Sequence, residues 1–427
     1  MSHRYVSKSR RHVDRRTGVL VGGAASALLA AAIVLPQANA SAERPRPPRA
    51  FSSDSAARVA ASLKADLGAD RTAGWYLDAG KGRLVMNVLS AEDAARVEEE
   101  GAVARVVPNS TSELQAATRT LSDTAAIPGT AWSIDPRTNR VSVIADRTVT
   151  GEKLAALTQA VEKVGGGMAS VKRSAGEFRR YHGGGGAARS GSESGAGEEE
   201  VGANTGGGGS GSGGRGGGSG GDGGAGASPV GGNAIFGGGA RCSLGFNVTL
   251  QGVPAFLTAG HCGKGSATWS ADQAGAQPLG TVADARFPAS DFALVAYDDT
   301  GARPESAVDL QNGGTQQISR AAEAAVGMRV QRSGSTTGLS DGTVTGLNAT
   351  VNYGNGDIVN GLIQTDVCAE PGDSGGPMFS GDAAVGLTSG GSGDCTRGGE
   401  TFFQPVTRAL EATGAEIGSG GGAADGG

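Results

Sequence analysis

Three residues with complementary chemistry are spread over the C-terminal half of this 427-residue chain. Ser374 lies in Gly372-Asp373-Ser374-Gly375-Gly376-Pro377, a glycine-built turn suited to presenting a hydroxyl. His261 closes Thr258-Ala259-Gly260-His261-Cys262, after the apolar run Ala255-Phe256-Leu257. Asp291 heads a second apolar run, Ser290-Asp291-Phe292-Ala293-Leu294-Val295. A serine hydroxyl becomes a nucleophile when an imidazole takes its proton and a carboxylate holds that imidazole in one tautomer. The set predicts acyl transfer through a covalent serine intermediate, with peptide bonds as the substrate.

With 77 glycines in the chain, a glycine-rich match around Ser374 is weak evidence alone. The histidines decide the matter. His3 and His12 lie in a basic N-terminal segment and His182 borders a glycine tract, which leaves His261 for a folded catalytic domain. The chain order His, Asp, Ser is that of the chymotrypsin-type template. Gly372 to Gly376 also fits a nucleophile elbow, but that fold needs a histidine after the serine, and none follows His261. A subtilisin order needs an aspartate before the histidine, and residues 230–260 contain no acidic side chain.

The remaining sequence says what positions these residues. Arg10, Arg11, Arg15 and Arg16, the apolar stretch Val19 to Leu35, and Ala38-Asn39-Ala40 read as an export signal over residues 1–40. The mature product is expected to be secreted, soluble and without membrane attachment. Four cysteines between 242 and 395 suit an oxidising compartment. Of three possible pairings, Cys242–Cys262 and Cys368–Cys395 are favoured, since each staples a local stretch beside a triad residue. No C-x₂₋₄-C spacing suggests a metal, and no cofactor is expected. From Val230 onward there are 9 Lys+Arg against 19 Asp+Glu, an acidic balance that argues against nucleic acid as a partner.

Residues 41–182 have ordinary globular composition and an internal echo. Trp75-Tyr76-Leu77-Asp78 with Arg83-Leu84-Val85 returns, 57 residues later, as Trp132-Ser133-Ile134-Asp135 with Arg140-Val141-Ser142-Val143. Each copy reads as strand, turn, strand, followed by a helical pattern (Ala91 to Gly101, then Gly151 to Val164), so two small α+β subdomains are expected. Residues 183–229 are dominated by glycine and serine and predict a disordered linker, with a span of about 35–40 Å as a flexible coil. Residues 230–417 show short β-branched and aromatic runs between Gly, Ser, Asn and Asp turns, an all-β pattern, with a helical signal near Pro405 to Thr413. Residues 418–427 form a glycine-rich tail.

Several motifs together resemble the streptogrisins, secreted bacterial serine proteases of the chymotrypsin family. They are Arg241-Cys242-Ser243-Leu244-Gly245-Phe246, Thr258 to Cys262, Arg332-Ser333-Gly334-Ser335-Thr336-Thr337-Gly338, Cys368 to Gly376, Gly386 to Gly393, and Phe402-Phe403-Gln404-Pro405-Val406. The second leader repeat is similar to the pro-domain of the α-lytic protease type. The resemblance implies an all-β catalytic domain of two antiparallel barrels, with His261 and Asp291 on the first, Ser374 on the second, and an α+β pro-region before them. It implies an oxyanion hole from the N–H groups of Gly372 and Ser374, an internal partner Arg332 for Asp373, and Ser389 bracing Asp291.

It also implies a substrate pocket walled by Ala369, Glu370, Pro371, Thr388, Ser389, Gly390, Gly391 and Thr401, small and largely uncharged, suited to Phe, Leu or Tyr. Thr388 stands where a glutamate-specific branch of the family carries a histidine. Glu400 stands beside this pocket: if it points inward, a basic residue is favoured. A self-processing precursor follows from the same resemblance, its pro-region serving as intramolecular chaperone and inhibitor, its tail in the cleft, and its maturation cut near Val230. The mature enzyme is expected to be a monomer acting on polypeptides. A rival reading is a binding module on an inactive protease fold, which the intact triad disfavours.

Overall fold

The echo in the leader is the trace of a repeated five-element unit. The computed structural model of the protein describes residues 48–418 apart from 166, 182 and 185–227, so the signal, residues 41–47, most of the linker and residues 419–427 lie outside the described residues. In the first unit α1 (Ser53–Leu67), β1 (Thr72–Asp78), β2 (Arg83–Val88), α2 (Ala91–Glu99) and β3 (Val103–Val106) build a three-stranded sheet with two helices. The second unit repeats the order with α3 (Thr111–Thr124), β4 (Thr130–Asp135), β5 (Arg140–Ala145), α4 (Gly151–Val164) and β6 (Ala169–Arg173). Both units are larger than the expected strand-turn-strand-helix: each begins with a further helix and ends with a strand parallel to its second. Ser110 caps α3 by accepting from the Glu113 N–H while the Glu113 carboxylate accepts from the Ser110 N–H, a reciprocal box that starts the helix there.

Two short strands end the leader, β7 (Arg179–Arg180) and β8 (Gly183–Gly184). Gly183 and Gly184 thus belong to a strand and not to the expected disordered linker, because backbone partners are available to them. Beyond residue 227 the chain is almost wholly β. The first sheet of this half contains β9 (Ala234–Gly237), β10 (Ala240–Ser243), β11 (Phe246–Leu250), β12 (Val253–Thr258), β13 (Thr268–Ser270), β14 (Pro278–Arg286) and β15 (Phe292–Tyr297), with one short helix, α5 (Gly260–Gly265). Its order is β11-β12-β15-β14-β13-β9-β10, and every pairing is antiparallel.

A small hairpin of β16 (Ala307–Asp309) and β17 (Thr315–Gln317) and the two-residue β18 (Arg320–Ala321) lead to the second sheet. There β19 (Arg329–Gly334), β20 (Gly338–Asn352), β21 (Ile358–Thr365), β22 (Pro377–Ser380), β23 (Ala383–Gly391) and β24 (Thr401–Pro405) run in the order β19-β22-β23-β24-β21-β20. Pairing of β19 with β20 closes the ring. The last helix, α6 (Val406–Thr413), follows directly. Phe246, Leu257, Phe292 and Leu294 from the first sheet and Phe379, Leu387, Val406 and Ala409 from the second half share one buried cluster, which fixes the two sheets against each other. The leader is attached to this body. β4 adds to β20 as an antiparallel strand, so β4, β5 and β6 extend the second sheet. Beneath that junction Ala131, Ile144 and Phe178 of the leader pack with Val351, Val359, Leu362 and Phe402.

Candidate active site

His261 enters on the first turn of α5, immediately after β12, and Asp291 lies just before β15, which pairs with β12. The strand ladder therefore carries the imidazole and the carboxylate together. The His261 N–H donates to Asp291 Oδ1 (2.9 Å), and His261 Nδ1 lies 3.0 and 2.9 Å from the two carboxylate oxygens. A carboxylate only accepts, so the proton sits on Nδ1 and Nε2 is left to accept. Ser374 Oγ lies 2.8 Å from Nε2. Asp291 Oδ2 also accepts from Ser389 Oγ (2.6 Å), and the Asp291 N–H donates to Gln404 Oε1 (2.8 Å). Ser389 gives its one hydroxyl proton to Asp291, so Tyr353 Oη, 3.2 Å from Ser389 Oγ, is the donor in that contact. The side chains of His261 and Asp291 are fully enclosed, and Ser374 is buried with them. Such an array can move the serine proton to Nε2 while keeping the ring oriented.

The serine loop owes its shape to glycine at two places. Gly372 (φ +104°) and Gly375 (φ +81°) adopt left-handed backbone, and a Cβ at Gly375 would run into Thr258, while one at Gly372 would meet Thr336 and Arg241. Thr388 donates its hydroxyl to the Gly376 carbonyl (3.0 Å), so this expected pocket residue braces the loop. Asp373, fully buried, accepts from the N–H groups of Thr336 (2.9 Å) and Glu370 (2.9 Å) and from the Thr337 hydroxyl (2.6 Å). Arg332 Nη1 stands 3.2 Å from its carboxylate, both side chains fully enclosed. Burial pushes the Arg332 guanidinium below its ordinary pKa and the Asp373 charge opposes that shift. Breaking a buried pair of this kind leaves a lone charge and costs about 3–5 kcal/mol. Disulfides join Cys242 to Cys262, beside His261, and Cys368 to Cys395.

The end of the leader lies across this site. β7 pairs antiparallel with β23, Arg180 opposite Gly390 and Arg179 opposite Gly391, and the Tyr181 N–H points to the Ser389 carbonyl (3.4 Å). The Gly372 N–H donates to the Tyr181 carbonyl oxygen (2.8 Å). Tyr181 is 3% exposed, and its phenol reaches the strands carrying Gly391 and Thr401. Burial raises that phenol well above the ordinary tyrosine pKa. Further along, Gly183 and Gly184 pair with Arg241 and Ala240 of β10. The two short strands thus contact the body at β23 and at β10.

Of the other expected pocket residues, Ala369 is buried in the wall, and Pro371 is exposed with its carbonyl accepting from Thr336 Oγ1 (2.8 Å). The Glu370 carboxylate accepts the Cys395 N–H (3.1 Å), which turns it to the disulfide loop. Glu400 accepts from Ser392 Oγ (2.8 Å), and Ser392 meets Ser174 of the leader (2.8 Å). Its carboxylate is therefore spent on a neighbouring turn and does not point inward at Tyr181. Residue types alone did not mark Tyr181, Tyr353, Phe287 or Asp357 for this cleft, although an aromatic residue next to a glycine tract is a signal for Tyr181. Pro229, near the expected cut, is held elsewhere: its carbonyl accepts from Asn247 Nδ2 (2.9 Å), the Val230 N–H donates to Asn233 Oδ1 (2.9 Å), and the Gly231 N–H to the Ala307 carbonyl (2.9 Å). No cluster of three His, Cys, Asp or Glu arranged to hold a metal occurs among the described residues, and none of their helices is long and apolar enough to cross a membrane.

Comparison with known proteins agrees in extent with this architecture. The α-lytic protease pro N-terminal model matches residues 44–107, the α-lytic protease prodomain model residues 109–165, and the trypsin model residues 242–413. Streptogrisin-D of Streptomyces griseus is 46% identical over 419 residues, covering 97% of this chain and 93% of its own. Serine protease 1 of Streptomyces fradiae is 39% identical over 407 residues, 94% of this chain and 99% of its own. Among solved structures, a glutamic acid specific serine protease is 48% identical over 44% of this chain and all of its own, with a TM-score of 0.43.

Proposed function

Because the chain belongs to the streptogrisin family of serine endopeptidases and carries an α-lytic-protease-type pro-region, we propose that it is exported as a self-processing precursor and cleaves polypeptides after large apolar or aromatic residues. The observation that carries this reading is Tyr181: its ring is buried in the cleft while its carbonyl oxygen accepts from Gly372, 2.8 Å from the amide nitrogen. In this reading Ser374 Oγ attacks the carbonyl carbon as His261 Nε2 takes its proton, and Asp291 steadies the resulting imidazolium. Gly372 and Ser374 N–H groups hold the oxyanion, each donor contributing about 3–4 kcal/mol. His261 then protonates the leaving amine, and water releases the acyl group as a carboxylate.

The leader's own tail is the first substrate. The bond that follows Tyr181 is the one presented to Ser374, and the cut is assigned there rather than near Val230, where the backbone is engaged with Asn247, Asn233 and Ala307. Cleavage after Tyr181 leaves the 48 residues 182–229 ahead of the folded protease as an arm for later trimming. Until it dissociates, the leader blocks the cleft as product, and strand addition through β4 gives it a template surface for folding β20. The pocket at Tyr181 is walled by backbone, glycine and threonine, with Thr388 turned to Gly376, which favours Phe, Tyr or Leu over charged residues.

A peptide library varied at the residue before the cut, assayed with processed enzyme and with Ser374→Ala, tests this. Cleavage after Phe, Tyr or Leu that vanishes in the variant is expected. A preference for Lys, Arg or Glu contradicts the pocket assignment, and residual cleavage by Ser374→Ala contradicts the mechanism.

A further inference from the structure

The residue just before Tyr181 has its own receptor. Arg180 Nε lies 3.3 Å from Asp357 Oδ2, and its guanidinium carbon stands 5.3 Å from the centre of the Phe287 ring. Phe287 in turn meets the His261 ring edge-on, centroids 5.8 Å apart. A planar cation is therefore held between a carboxylate and an aromatic face, directly beside the imidazole. Arg179, one residue further back, makes no such contact with the protease: its guanidinium pairs with Glu177 of the leader (2.9 Å), which also holds Arg147 (2.7 Å). Of two adjacent arginines, one is read by the leader and the other by the enzyme.

Asp357 is placed by the turn Tyr353-Gly354-Asn355-Gly356-Asp357, between β20 and β21. Three successive residues there, Gly354, Asn355 and Gly356, have positive φ, and the turn is closed by Tyr353 N–H to the Asp357 carbonyl (2.9 Å), Asp357 N–H to the Gly354 carbonyl (2.8 Å) and Gly354 N–H to Asn352 Oδ1 (2.9 Å). These bonds are internal to the hairpin, so the backbone that bears the carboxylate is held without the leader.

We propose that Asp357 and Phe287 form a subsite selecting a basic residue immediately before the residue after which the chain is cut, so that substrates of the type Arg-Phe, Arg-Tyr, Lys-Phe or Lys-Tyr are preferred. The inference rests on the endopeptidase reading above and adds a second specificity element to it. Side-chain exposures of 39% for Arg180 and 20% for Asp357 set its size. A half-exposed ion pair and a cation–π contact each contribute modestly, and together they correspond to about a tenfold preference.

The test uses processed enzyme and a series Ala-Ala-Xaa-Phe-amide with Xaa as Arg, Lys, Glu, citrulline, Ala or Leu. Citrulline keeps the shape of arginine without its charge. The proposal expects kcat/KM for Arg to exceed that for citrulline by about tenfold at low salt, to fall towards it at 1 M salt, and to drop to about threefold in Asp357→Asn, where the Phe287 contact alone remains. In Asp357→Lys the order is expected to invert in favour of Xaa as Glu. Equal rates for Arg and citrulline, or an advantage undiminished in Asp357→Asn, overturn the subsite while leaving the endopeptidase reading in place. If no member of the series is cut, both readings fall.

Discussion

The two leader subdomains share an element order and yet hold the protease by different means. The first keeps its sheet to itself: β1, β2 and β3 pair only with one another within their sheet. Its contacts with the body include the Leu77 N–H to the Val326 carbonyl (2.8 Å), the packing of Trp75 on the cluster around Met328 and Phe403, and the Asp54–Arg320 pair (2.9 Å), a guanidinium that Asp382 also holds. The second subdomain gives up the independence of its sheet, since β4 is paired on one edge with β5 and on the other with β20. Its Trp132 is turned inward, 1% exposed, to form its own core, whereas the equivalent Trp75 is shared with the protease. The same repeated unit serves as a strand donor in one place and as a side-chain clamp in the other. The difference decides which part of the protease each can influence, because β20 runs into the hairpin that carries Tyr353 and Asp357 to the cleft.

Breaking the strand addition should have the largest effect on β20. Ala131→Pro removes a backbone donor from a strand paired on both edges and leaves a buried carbonyl unpartnered, a loss of about 1–3 kcal/mol. In the uncut Ser374→Ala precursor, hydrogen exchange at Thr350 to Asn352 should speed up by about one to two orders of magnitude while the first subdomain is unaffected. Unchanged exchange in β20 would mean that side-chain contacts alone hold the second subdomain. Trp75→Ala is the matching change in the first. A half-buried aromatic gives up about 2–3 kcal/mol, less than the 3–5 of a fully buried one, and exchange should rise around Ala324 to Met328 and at Val344, which is hydrogen-bonded to that segment, while Thr350 to Asn352 stay protected.

Tyr353→Phe sharpens the comparison at the active site. Its hydroxyl donates to Ser389, which donates to Asp291, so its loss weakens one member of a chain of aligned hydrogen bonds. A fall in kcat/KM of about three- to tenfold is expected, equivalent to about 1 kcal/mol. Equal activity would remove Tyr353 from the network. The smallest effect is assigned to Asp54→Asn, because the pair with Arg320 is 37% and 41% exposed. Precursor stability should change by less than about 1 kcal/mol, and the change should disappear in high salt.

Much of this was legible in residue types. His261, Asp291 and Ser374 stand out because hydrogen-bond chemistry leaves few alternatives in a chain with four histidines, and the structure brings Asp291 and Ser374 each within 3.0 Å of a ring nitrogen of His261. The helix Gly151–Val164 follows its amphipathic pattern. Other features needed three dimensions. α1 and α3 precede the aromatic strand starts that marked the repeat, although Ser110 and Glu113 spell a capping box. The β4–β20 ladder joins backbones more than two hundred residues apart, and backbone pairing has no side-chain signature. The expected cut near Val230 and the proposed one after Tyr181 differ because the proposed one rests on the pairing of Arg179 and Arg180 with β23, which likewise has no side-chain signature. Asp357 read as a turn residue, and only the arginine beside it gives its carboxylate a purpose.

The central claim is that the leader's tail is presented to Ser374 with Tyr181 as the residue to be cut after. Intact-mass analysis of purified full-length precursor over time, beside Ser374→Ala, tests it most directly. The account predicts a released leader ending at Tyr181 and a protease fragment beginning at His182 in the active protein, with Ser374→Ala remaining whole. A first cut at Pro229–Val230 with no fragment ending at Tyr181, or the same fragments from Ser374→Ala, would contradict it.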